Sequence, residues 1–257
     1  MISIKTQKDI DVLREGGKQL AKILAAVVAE VKPGVATDYL NTLAQNLIIR
    51  TGDTSAFLNY RPSGAPRPYP ASLCVSVNDE VVHGIPNEKP RRLVAGDIVS
   101  LDLGLVHGGL ITDHAITCGV GRISPVTQKL LAITQEALTV GIKAARAGNT
   151  TGDIGFAISN FVHSHGTYGV IEELTGHGVG YSVHEDPFVP NFGKPGQGAL
   201  LKPGMVIAIE PMLTLGDKDI ILDEDGYTIR TADGSLAAHF EHTILITKTD
   251  AEILTRV

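Results

Sequence analysis

The sequence predicts an α+β fold made of two similar halves, in which an antiparallel sheet carries helices on one face. Three repeats point to it. Residues 93–102 (LVAGDIVSLD) and 201–210 (LKPGMVIAIE) read as matched stretches that place Asp102 and Glu210 at the same point of a strand. Residues 112–117 (TDHAIT) and 240–245 (FEHTIL) then deliver Asp113-His114 and Glu241-His242. Ahead of each block, VKPGVATDYL at 31–40 is echoed by ARAGNTTGDI at 145–154, which sets Gly34 over Gly148 and Thr37 over Thr151. Two copies of so long a unit do not make a solenoid. A duplicated half-domain with its site on a pseudo-two-fold axis fits instead.

The elements follow in chain order. Thr6 followed by Asp9 is an N-cap signature, and Ile10, Leu13, Leu20, Leu24, Val27 and Val28 recur on one helical face until Pro33-Gly34 stops the run. Thr37 begins a second helix that ends near Thr51-Gly52. FLNYRPSGAPRPYP at 57–70 is rich in proline and reads as a surface loop. SLCVSV at 72–77, DIVSLDLGLV at 97–106 and GLITDHAITCGV at 109–120 read as strands, the last two joined through HGG at 107–109 into a hairpin. In that hairpin Asp102 and Asp113 can face each other across the ladder, and a one-residue slip would send either to the opposite face. Residues 125–147 and 151–165 are helical by periodicity, the second from a Thr151-Gly152-Asp153 cap. From about 168 onward the chain reads as strands and loops, with MVIAIEPML, GYTIR and AAHFEHTILIT the clearest.

At 257 residues, with 43% apolar and 19% charged content, the chain buries roughly three quarters of its unfolded surface by size scaling. No break in composition divides it, so a single domain over residues 1–257 is expected. A net charge of −6 and a pI near 5.8 leave no large basic groove, which excludes sequence-specific nucleic-acid binding. Two cysteines, Cys74 and Cys118, suit a reducing compartment and are too few for a disulfide framework. The N-terminus lacks the apolar core of a secretory signal and no long apolar run spans a membrane, so a cytoplasmic location is expected; a monomer is the separate expectation for assembly.

Glu210 sits within VIAIEPM, where apolar neighbours predict burial, and a glutamate is seldom buried unpaired. A structural ion pair is the bland explanation, but an acid recurs at the same place in both halves. Desolvating one unpaired carboxylate costs several kcal/mol. Four aimed at one another therefore need positive charge among them, and a pair of divalent cations is the simplest supply. His177 in TGHGVG, between glycines that let backbone approach a ligand, adds one imidazole. That oxygen-rich set favours Mn(II), Fe(II), Co(II) or Zn(II) over a thiolate-type zinc centre. Two such ions clamp a hydrolytic transition state, so metal-assisted hydrolysis is the reaction expected.

His83 in VVHGIP and His184 in SVHEDP occupy symmetric turns within reach of a substrate. His114 and His242 directly follow acids along strands and should face the other way, to pack or to hydrogen-bond behind the ligands. Cys74 lies in an apolar strand and reads as core or pocket wall rather than nucleophile. No G-x-S-x-G elbow, P-loop or dinucleotide fingerprint is present.

With HGIP, the Asp102–Asp113 hairpin, GHGVG, HEDP, IEPM and FEHT in this order, the chain resembles the type I methionine aminopeptidases of the pita-bread metallopeptidase family, from ISIKT near its start to EILTR near its end. The resemblance implies a curved antiparallel sheet with helices on its outer face. It implies an aminopeptidase that hydrolyses the initiator methionine from nascent proteins and peptides when the second residue is small, using water activated at a dinuclear metal site. Asp102, Asp113, His177, Glu210 and Glu241 would hold two divalent ions (Co, Mn, Fe or Zn), with Asp113 and Glu241 bridging, Asp102 on one ion, and His177 with Glu210 on the other. Glu210 would handle the proton of the attacking water, His184 would stabilise the tetrahedral intermediate, and His83 would contact the substrate near the scissile amide. Cys74, Tyr69 and Tyr227 would bind the methionine beside both histidines. The partners implied are peptides with a free N-terminal methionine. The type II insertion and a zinc-binding N-terminal extension are missing, which leaves only transient ribosome contact as an expectation.

Five features depart from the family pattern. Val82 stands where many relatives carry Cys, Val183 where Phe is familiar, Tyr227 where Trp is often found, and Phe57 replaces a pocket Cys. RPSGAPRP at 61–68 lengthens a loop that lines the methionine side-chain site. All five change the pocket wall and leave the ligands untouched. Two rivals stay open: an Xaa-Pro peptidase of the same fold, whose chains usually carry an extra N-terminal domain, and a metal-free binding module, a class that typically loses ligands.

Overall fold

The computed structural model describes residues 2–257. The chain runs through α1 (Gln7–Val28), α2 (Thr37–Arg50), β1 (Thr54–Ser55), β2 (Cys74–Val77), β3 (Glu80–Val82), β4 (Ile98–His107) and β5 (Leu110–Gly119). The second half contributes α3 (Pro125–Ala144), α4 (Thr151–His165), β6 (Gly169–Val170), β7 (Thr175–Gly178), β8 (Glu185–Pro190) and β9 (Val206–Ile209). It closes with β10 (Met212–Thr214), β11 (Ile220–Leu222), β12 (Ile229–Thr231), β13 (Ala237–His239), β14 (Glu241–Ile246) and β15 (Ala251–Ile253). No helix among the described residues is long and apolar enough to cross a membrane.

Thr6 and Asp9 form the capping box read from the sequence, each side chain accepting the other's backbone N–H. The helix ends earlier than expected, at Val28, because Gly34, at φ 90°, gives its N–H to Leu93 and turns the chain onto the 91–93 segment. Thr37 does not cap α2. Its hydroxyl donates to the Pro86 carbonyl and accepts from the Arg91 N–H, tying down a loop, while Ala36 holds the cap position with no side-chain bond. In the second half Thr150, not Thr151, caps α4 through a capping box with Asp153, and α3 stops at Ala144.

The principal sheet runs β1-β4-β5-β14-β9-β7-β8, with β2 also on β4 and β15 on β14. Gly108 and Gly109, at φ 55° and 83°, supply the two left-handed positions of a tight hairpin between β4 and β5. The repeat becomes spatial at the centre of this sheet. The hairpin of the first half lies beside β14 and β9 of the second, so the pseudo-two-fold axis passes between β5 and β14, where His114 pairs with His242.

Side chains alternate across these strands. Leu101, Leu103 and Leu105 pack against Leu20, Leu24, Leu40 and Ile48 of α1 and α2. Ile207, Ile209, Ile244 and Ile246 pack against α3 and α4. Each such leucine or isoleucine stabilises by about 1.5–3 kcal/mol when fully buried. The helical layer thus anchors one face of the sheet and leaves the acids on the other.

Two segments that read as single strands are each broken. MVIAIEPML divides into β9 and β10 at Glu210-Pro211, and AAHFEHTILIT into β13 and β14 at Phe240. Proline has no N–H to continue the ladder, and the two chains leave the main sheet together. Beyond the break they pair again, Met212 with His239, in a small sheet of β13, β10 and β6. Glu210 therefore stands at a corner.

Gly176 sits where β7 closes on β9. A Cβ there would lie 2.4 Å from the Ala208 carbonyl oxygen. Gly176→Ala is expected to lower stability by about 1–3 kcal/mol through overpacking, seen as a lower urea midpoint at unchanged slope.

Candidate metal centre

Register assembles the donors. Asp102 of β4 and Glu241 of β14 pair with Ala115 of β5 from its two sides. Asp113 is two residues from Ala115 on the same face and opposes Gly104, so Asp102 and Asp113 share that face on a diagonal rather than directly opposite one another. Glu210 follows the His242–Ile209 pair by one position and comes beside Glu241. Gly178 pairs with Ile207, which sets the preceding His177 next to Ala208. Ala115, Ala208 and Gly104 are too small to fill the space between the donors.

The group is desolvated. Asp102, Asp113, His177 and Glu241 are all buried. Donor atoms of Asp113, His177 and Glu241 lie within 4.8 Å of one another. Asp102 Oδ1 and Glu241 Oε1 are buried with no hydrogen-bond partner among the described residues. Burial, then the neighbouring carboxylates, pushes Asp102, Glu210 and Glu241 well above the usual acid range, and burial lifts Asp113 to about 6.

His177 completes the set with a defined tautomer. Its Nδ1 is 2.9 Å from the Gly178 carbonyl oxygen, which can only accept, so Nδ1 carries the hydrogen and Nε2 keeps its lone pair. That Nε2 faces Glu210 Oε1 at 3.5 Å. Burial lowers the His177 pKa to about 3, which keeps the ring neutral. Orphaned carboxylate oxygens and a free imidazole lone pair converging on one space are what a divalent cation requires, and the residues fit one.

The other expected site residues line the same cavity, of about 300 Å³: His83, His184, Cys74, Tyr69 and Tyr227. His184 lies at its exposed mouth, with Nδ1 3.0 Å from the Tyr60 hydroxyl and its ring 4.4 Å from that of His177. Lys5, its side chain fully buried, holds the adjacent Glu185 at 2.7 Å and ties this turn to the N-terminal segment. Burial lowers the His83 pKa to about 4 and pushes the Cys74 thiol well above its usual range, so Cys74 is a wall and not a nucleophile. Tyr69 and Tyr227 meet edge to face at 5.2 Å. The Tyr227 hydroxyl donates to the Arg67 carbonyl, and Arg67 pairs with Glu88, which pins the 61–68 loop at the cavity rim. Phe57, Val82 and Val183 supply apolar wall. His114 and His242 stack on the opposite face, ring centroids 4.5 Å apart, His114 holding the Glu241 carbonyl and His242 the Thr255 hydroxyl.

One residue was not singled out from the sequence. His239, buried and lining the cavity, has Nε2 3.6 Å from Glu210 Oε2 and no hydrogen-bond partner at either ring nitrogen. Its spacing of two from Glu241, on a segment that reads as one strand, was the available signal.

Protons and cations compete for these carboxylates. The raised pKa of Asp113 contributes stability that is present below its ordinary 3.8 and is lost as pH rises through about 6. Metal binding should therefore weaken as pH falls through about 6 and stabilise most above it. At pH 7.5 and about 100 times Kd, a divalent ion should add about 2.7 kcal/mol and raise Tm by about 5–11 °C. Calorimetric titration and thermal melts of chelator-treated protein at pH 7.5 and pH 5 check both expectations.

Residues 11–248 match metallopeptidase family M24. A methionine aminopeptidase of Aquifex aeolicus is 45% identical over 260 residues, covering 100% of this chain and 99% of that one. The crystal structure of methionine aminopeptidase from Rickettsia prowazekii superposes with a TM-score of 0.94 at 40% identity, covering all of both chains. A prolidase from Pyrococcus furiosus, at 24% identity and a TM-score of 0.75 over 99% of this chain and 65% of that one, shares the fold. The α+β pita-bread architecture, the buried cluster of acids with one imidazole, and these likenesses agree: the chain belongs to metallopeptidase family M24.

Proposed function

We propose that the chain is a cytoplasmic methionine aminopeptidase, one catalytic domain over residues 1–257, which removes the N-terminal methionine of nascent proteins and peptides when the second residue is small. The end-to-end likeness to methionine aminopeptidases carries this reading. It acts as a monomer with only transient ribosome contact.

Asp102, Asp113, His177, Glu210 and Glu241 would hold two divalent ions, Co, Mn, Fe or Zn, which when bound supply Lewis acidity toward the scissile carbonyl and ease loss of a proton from water. Glu210 takes that proton and returns it to the departing amine nitrogen. The Tyr60 hydroxyl donates to His184 Nδ1, leaving Nε2–H of His184 to donate to the oxyanion. His83, neutral through burial, contacts the substrate near the scissile amide. Tyr69, Cys74 and Tyr227, with the apolar wall of Phe57, Val82 and Val183, take the methionine side chain.

Three measurements test this reading. Metal-free protein reconstituted with each ion in turn should cleave Met-Ala and Met-Gly peptides and spare Met-Leu. Cleavage of Xaa-Pro peptides with Met-Ala left intact would assign the chain to the other peptidase activity of this fold. Glu210→Gln should lower kcat by about 10²–10⁴-fold, the range for losing a general base. Glu241→Ala should lose bound metal and activity together, as metal analysis beside the peptide assay would show.

A further inference from the structure

His239 ends β13, and its main chain is locked. The backbone N–H donates to Thr117 Oγ1 at 2.8 Å, and the same hydroxyl donates to the His239 carbonyl at 2.7 Å. The ring is therefore held at the cavity floor by a fixed backbone, yet neither of its nitrogens has a hydrogen-bond partner among the described residues. Leaving a buried donor or acceptor unmet destabilises the fold, a cost that an apolar residue of similar size would avoid. A histidine placed at that cost needs a partner during function.

Glu210 is the partner in reach. One of its oxygens, Oε1, faces His177 Nε2 at 3.5 Å, but His177 keeps a lone pair there and has nothing to donate. The other, Oε2, faces His239 Nε2 at 3.6 Å. That separation is beyond a hydrogen bond, as catalytic pairs often are before the reacting complex tightens them. Like Asp102 and Glu210, His239 lies outside the group of Asp113, His177 and Glu241, whose donor atoms gather within 4.8 Å of one another, so its approach to Glu210 is what places it.

We propose that His239 is a positioning residue, whose Nε2–H holds Glu210 Oε2 and fixes the plane of the carboxylate that moves the proton. The idea rests on the aminopeptidase reading for the proton's origin, and on geometry alone for the His239–Glu210 contact. A donor from His239 keeps the Glu210 carboxylate aligned; an apolar side chain there leaves it free to rotate.

Two variants of His239 and a pair of spectra test it. His239→Gln keeps an N–H donor and should hold kcat within about threefold of the parent. His239→Leu removes it and should lose about 10–100-fold in kcat, the usual scale for outer partners of a metal site, with KM and metal affinity within about threefold. Long-range 1H–15N correlation on the zinc-loaded parent should show His239 as the Nε2–H tautomer, with a resonance that moves in Glu210→Gln. Parental kcat in His239→Leu, equal damage in His239→Gln, or an Nδ1–H tautomer would each overturn the proposal. Loss of bound metal in His239→Leu would also overturn it by making His239 a ligand. A metal-loaded parent that shows the expected tautomer and response but leaves Met peptides uncleaved would instead sink the aminopeptidase reading.

Discussion

Mutual repulsion among four desolvated carboxylates is the constraint around which the molecule is built. Asp102, Asp113, Glu210 and Glu241 arrive from β4, β5, the end of β9 and β14, and each is raised by burial and most of them by one another. Such an arrangement destabilises any fold that lacks compensating charge. The opposite face offsets it, with a leucine and isoleucine layer under four helices that keeps the strands in register. Register matters because a slip of one residue would exchange acids for leucines on both faces at once.

Duplication makes this economical, and asymmetry makes it useful. On the axis, His114 and His242 stack and hold the strands behind the acids. Away from it the halves diverge. Beside Asp102 the outer strand presents Cys74, whereas beyond β9 the strand β7 presents His177, so the imidazole enters from one side only. The polar floor therefore has direction.

The cavity wall adapts locally. Gly104 opposes Asp113, and a Cβ on it would meet the Phe57 ring at 2.6 Å, so the aromatic side chain at 57 and the glycine at 104 depend on each other. Tyr227, through the Arg67 carbonyl, links the wall to the 61–68 loop, which Arg67 fastens to Glu88. The aromatic wall and the 61–68 loop thus form a connected rim, while the donors are held by strand pairing.

The sequence by itself determined the α+β class, the doubling, the face shared by Asp102 and Asp113, and the outward direction of His114 and His242. Those follow from period-two alternation and short loops, which are local. Helix ends and caps were less legible: α1 stops at Val28, short of Pro33-Gly34, and Thr150 captures the cap read at Thr151. Only the tertiary structure decided that Pro211 and Phe240 break their strands together, because the partner of each is the other. That paired break puts His239 against Glu210, a contact between distant segments that no local pattern encodes.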